Sequence, residues 1–99
     1  MAVVQPILVT YLANQLSDYV ERGKVKIDGD EVEFDIFKTT IEGGKVRKYL
    51  YVVEEKGNIT EANLLDSNGN LLAIKPVNIQ KDEDGIMIVF EFNLDVQEV

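Results

Sequence analysis

The sequence predicts an α+β protein in which one N-terminal helix packs on an antiparallel β-sheet or a small sandwich of about six strands. Apolar residues recur at helical spacing up to about Arg22 and then alternate with polar ones to the end, so a single change of period divides the chain. Short clusters of Gly, Asn and Asp punctuate the alternating part, and connections this short join antiparallel neighbours. At 99 residues there is room for one domain with one core and not for two.

The helix is expected from about Pro6 to Arg22. Leu8, Leu12, Leu16 and Tyr19 repeat at i, i+4 spacing, and Ile7, Tyr11 and Val20 widen the stripe. Pro6 suits the first turn, where its missing N–H removes no hydrogen bond, and Gly23 suits the left-handed residue that closes a helix. Asn14, Gln15, Ser17, Asp18 and Glu21 supply the polar side, and the apolar stripe is expected to cover one face of the sheet.

After Gly23, Val25 and Ile27 alternate with lysines, and Val32, Phe34 and Ile36 alternate with Glu31, Glu33 and Asp35. Between them Asp28-Gly29-Asp30 reads as a tight hairpin turn. Glu42-Gly43-Gly44 makes a second turn before a strand from Lys45 to Val53. That strand places Val46, Leu50 and Val52 on one face and Tyr49, Tyr51 and Val53 on the other. It is therefore apolar on both sides near its end, and something is expected to cover both. A strand from Ile59 to about Leu65 turns at Asn68-Gly69 and returns over Leu71 to Lys75, where Pro76 marks an edge or a bend. Val77 to Gln80 continues it. After the charged turn of Lys81 to Gly85, the last strand runs from Ile86 to Leu94 with Ile86, Ile88, Phe90, Phe92 and Leu94 on one face.

The sequence contains no cysteine and no histidine, which removes disulfide frameworks, thiolate zinc sites, cysteine nucleophiles and histidine acid/base chemistry together. Ten Lys and Arg stand against 18 Asp and Glu, a formal charge of −8. Phosphate backbones and anionic membranes are opposed by that balance, so neither nucleic acid nor membrane is an expected partner. The segment Met1 to Leu12 is apolar without a basic leader, and no apolar run reaches bilayer length.

Acidic clusters at Asp28 to Glu31, Asp66 to Asn70 and Asp82 to Asp84 invite a calcium reading. In the best of them Gly falls at the fourth position instead of the sixth and no Glu follows at the twelfth, so turn chemistry is the better account. Glu31, Glu33 and Asp35 form a row of like charge suited to keeping an exposed strand from pairing, and no catalytic pair, cofactor or metal site is expected. Together with Asp82, Glu83 and Asp84 the same carboxylates could imitate a phosphate row, which keeps an acidic inhibitor of a nucleic-acid enzyme among the alternatives. Tyr49, Tyr51 and Val53 are the candidate interface residues, because tyrosine combines large contact area with a polar tip. Packing within the monomer competes for the same side chains.

The stretch Ile59-Thr60-Glu61-Ala62-Asn63-Leu64-Leu65-Asp66-Ser67-Asn68-Gly69-Asn70-Leu71-Leu72-Ala73, with Ile88-Val89-Phe90-Glu91-Phe92 after it, resembles the attachment region of tailed-phage tail-fibre and tail-collar proteins. Such fibres continue into long repetitive or trimeric shafts, whereas this sequence ends at Val99. The resemblance accordingly implies a short structural component of a virion or prophage particle, of the tail or baseplate, present in the particle or in host cytoplasm before assembly. It implies no receptor site. The expected function is structural, non-enzymatic and exercised through protein–protein contacts with itself or another particle protein, a homo-oligomer included. A small ligand-binding or enzyme-like α+β domain is the other alternative.

Overall fold

The structure, a computed structural model, describes residues 3–99. Met1 and Ala2, where the apolar N-terminal segment starts, lie outside the described residues. Helix α1 spans Pro6–Tyr19 and is followed by seven strands: β1 (Arg22–Ile27), β2 (Asp30–Asp35), β3 (Lys38–Glu42), β4 (Lys45–Val52), β5 (Gly57–Leu65), β6 (Leu71–Lys81) and β7 (Ile86–Asn93). The strands form two antiparallel sheets, one of four in the order β2-β1-β5-β6 and one of three in the order β3-β4-β7. The chain crosses between the sheets after β2, β4 and β6.

Alternation dictates what the layers bury. Val25, Ile27, Ile59, Ala62 and Leu64 of the larger sheet meet Leu50, Val52, Ile88 and Phe90 of the smaller one, and Val20 joins them from the chain between helix and sheet. Gly23 belongs to this core and does not cap the helix. It lies in β1, and a Cβ there would stand 2.4 Å from Leu50 Cδ2, so the missing side chain makes room for a buried leucine. The helix ends at Tyr19 because Val20 is extended (φ −84, ψ 108), its side chain in the core and Arg22 already in β1.

The helix packs beside the sandwich core, against β3 and β4. Its inward residues are Ala13 and Ser17, both buried, with Leu12 and Leu16 partly covered. This corrects the expected stripe: Leu8 is 44% and Tyr19 58% exposed. Small residues allow the helix backbone a close approach to the sheet, and leucines at the contact would hold it away. Tyr19 turns instead to Asp66, donating its phenolic hydrogen to Oδ2 at 3.0 Å.

The Asp28-Gly29 turn has positive φ at both residues (49° and 85°), as a two-residue type I′ hairpin demands. At Asn68-Gly69 the expected two-residue turn is replaced by a five-residue connection, 66–70. The Asp66 carboxylate organises it, accepting hydrogen bonds from the backbone of Asn68 and Asn70 and from Asn70 Nδ2. Pro76 lies in β6, an edge strand, where the register against β5 shifts between Ile59 and Glu61.

Candidate interaction face

Strand β4 is the middle strand of the smaller sheet, so both its edges are hydrogen-bonded to neighbours, β3 on one side and β7 on the other. Its even face carries Val46, Lys48, Leu50 and Val52 and is buried. The odd face looks away from the core, and there the three sequence candidates come together: Tyr49 and Tyr51 on β4, and Val53 just beyond it. Val53 is 44% and Tyr51 37% exposed, and Tyr49 is partly covered. The expectation that both faces of this strand are covered is thus met on one face alone, by the larger sheet and the helix.

Neighbours extend the patch. Tyr49 pairs with Lys38 and Val89, Tyr51 pairs with Met87, and Phe37 stacks obliquely on Tyr51 with ring centroids 5.1 Å apart. The Phe37 N–H donates to Tyr49 O at 2.8 Å, which fixes the aromatic residue at the crossover between sheets. Lys38 Nζ lies 5.5 Å from the Tyr49 ring centroid, a cation–π contact. Arg47 donates to Glu91 at 2.7 Å; that bond and the carboxylate's charge push the guanidinium above its ordinary pKa. An aromatic and aliphatic centre with a charged rim is the anatomy of a protein interface.

Two features lock the centre. Gly85 lies against Tyr51, and a Cβ at that position would stand 2.6 Å from the phenolic oxygen. Lys81 is fully buried, and its ammonium donates to Val53 O at 2.8 Å and to Asp82 O at 2.7 Å, which anchors the chain as it leaves β4. The sequence offers little signal for Phe37, Met87, Gly85 or Lys81. Phe37 has no period of its own, Met87 reads as a solvent position, and Lys81 reads as part of a charged turn.

The other sequence candidates do not converge on a site. Asp66, 2% exposed, is held below the usual carboxylate range, first by the hydrogen bonds from Asn70 and then by those from Tyr19 and Asn68, while the same contact raises Tyr19. Its acceptor capacity is taken up by protein donors. Glu33 is bridged to Arg22 at 2.8 Å and Glu31 to Lys24 at 3.3 Å, so the acidic row is partly neutralised by its own sheet. No group of three acidic side chains placed to hold a metal ion is found among the described residues, and none of their helices is long and apolar enough to cross a membrane. The hollows are shallow and open. One of about 390 Å³ lies beside Gly44 and Arg47, and another of about 410 Å³ lies between Ile7, Leu8 and Glu98.

Beneath the helix, Lys48 is 5% exposed and donates to Thr39 Oγ1 at 3.0 Å. Burial pushes its pKa down, opposed by Asp18 and Glu21.

No protein family, curated protein or solved structure matches this chain.

Proposed function

We propose that this protein is a structural or assembly component of a phage tail, baseplate or similar tail-like particle, acting through protein–protein contacts and not through catalysis. The particle setting comes from the likeness of the β5–β6 segment and of β7 to tail-fibre attachment regions. The mode of action rests on one observation: Tyr49, Tyr51, Val53, Phe37 and Met87 share an exposed face on the smaller sheet. Tyr51, packed against Phe37 and Gly85, and Val53, whose carbonyl Lys81 holds, offer contact area at reduced ordering cost, which favours a protein surface as the ligand.

The test is incorporation. In cells that make the particle, the parent protein is expected to co-sediment with it. Tyr51→Glu, which puts a charge on an exposed position, is expected to fold normally by circular dichroism and to be lost from the particle fraction. Equal incorporation of the two proteins would refute the assignment of the face.

A further inference from the structure

The outer faces of the two sheets differ in how their charges are matched. On the larger sheet Arg22, Lys24 and Lys26 alternate with the core residues of β1. Arg22 and Lys24 are bridged to Glu33 and Glu31, and Lys26 stands in register between Glu31 and Glu61. On the smaller sheet the register puts Lys38, Lys45 and Arg47 on the outer face with two carboxylates, Glu42 and Glu91. Seven cations and sixteen carboxylates are left for the rest of the chain, so the aromatic face is locally basic on a protein of formal charge −8. Its donors are also free. Among the described residues Lys38 and Lys45 form no ion pair, although Glu42 stands opposite Lys45, and the Tyr49 and Tyr51 hydroxyls donate to no acceptor. Lys38 lies over the Tyr49 ring, and Arg47 meets Glu91 through Nε, which leaves its two terminal nitrogens. The hollow of about 390 Å³ beside Lys45, Arg47 and Asn93 gives an incoming side chain room at that end of the face.

We propose that this face receives an acidic segment of a partner protein, whose carboxylates meet Lys38, Lys45 and Arg47 and whose apolar side chains rest on Tyr49, Tyr51 and Val53. The proposal rests on the reading that the face meets a protein, and adds the chemistry of that protein. Charge complementarity selects the occupant: unpaired cations beside an apolar centre attract carboxylates and repel a basic partner. Lys38 lies opposite Tyr49 and Lys45 opposite Glu42, so the two ammonium groups are rooted four residue steps apart along the sheet, roughly 13 Å. An extended segment with carboxylates four residues apart spans that interval. The face also has a direction. Glu54 follows Val53, and Asp84 precedes the Gly85 that touches Tyr51, so the Tyr51 end is bounded by the chain's own carboxylates and suits the apolar part of the segment. Nucleic acid fits less well, because a phosphate backbone carries its charge past the face into that acidic border. A base also needs the flat side of a ring, whereas Lys38 lies over that of Tyr49, and Phe37 and Tyr51 are inclined to each other by 59°.

The test is selection from a random peptide library displayed on yeast, with three full-length baits: the parent, the double variant Lys38→Glu/Lys45→Glu, and Tyr51→Glu. All three are expected to share one circular dichroism spectrum, because the substituted positions are exposed. Peptides selected on the parent are expected to be enriched in Asp and Glu beside aliphatic or aromatic residues. The double variant is expected to lose that acidic enrichment and to select Lys and Arg in its place, and Tyr51→Glu is expected to lose the parent's peptides. Peptides that depend on Tyr51 but carry no excess of acid, or an acidic preference unchanged in the double variant, would overturn this proposal and leave the protein-binding face standing. Absence of any peptide that depends on Tyr51 would overturn both. Fluorescein-labelled oligothymidylate is titrated alongside at physiological salt, where no binding is expected; binding that Tyr51→Glu abolishes would assign the face to nucleic acid and overturn the proposal.

Discussion

Single side chains decide how β4 is used. Its outward residues Tyr49, Tyr51 and Val53 are legible from alternation alone, since a period of two separates them from Val46, Leu50 and Val52. Lys48 is not legible in the same way: it breaks the apolar run like any polar residue, and only the helix lying over it makes it a buried ammonium. A buried charge with a single protein acceptor costs stability, so Lys48→Met is expected to raise stability at pH 7 by about 1 kcal/mol. The sign with pH follows from the depressed pKa. Between the lowered value and 10.5 the folded state gives up its proton while the unfolded chain keeps it, so this group makes the protein more stable as pH rises. The advantage of Lys48→Met over the parent is therefore expected to shrink toward pH 10.5 in urea titrations. An advantage constant across that range would show that Lys48 is not desolvated.

Among the elements, the helix and the hairpins show where periodicity suffices and where it does not. The existence of α1 and the β1–β2 turn follow from spacing and from Asp28-Gly29, whose backbone conformation is local. The rotation of α1 about its axis does not. The apolar stripe points to Leu8 and Tyr19 as inward residues, whereas close approach to β4 buries Ala13 and Ser17, the latter from the side the spacing marks as polar. Leu12→Ala is expected to cost about 1–2 kcal/mol, less than the ~2–5 kcal/mol of a fully buried leucine, because Leu12 is partly covered. Leu8→Ala is expected to stay within about 0.5 kcal/mol of the parent. Equal losses at the two positions in thermal unfolding would place the helix in the orientation that periodicity alone suggests. Strand β3 is illegible for a different reason: Lys-Thr-Thr-Ile-Glu contains one apolar residue, and its place is set by pairing with β4.

In the molecule as a whole, the sequence leaves one sheet and a small sandwich as alternatives, because short connections predict antiparallel neighbours without saying where the chain changes layer; the structure has the two sheets. The described chain is 53 Å long and 26 by 19 Å across, with the helix beside one end of the sandwich core. A slender body of this kind buries one face of each sheet against the other, and on the smaller sheet the outer face is aromatic. On the function proposed above, this face meets another protein of the particle. That contact is tested most directly by replacing Tyr51 with photoreactive benzoylphenylalanine and irradiating cells that assemble the particle. A covalent adduct is expected between position 51 and a structural protein of the particle, absent when the same probe is placed at exposed Gln15. Adducts from position 51 no more abundant than those from position 15, or confined to proteins outside the particle, would contradict it.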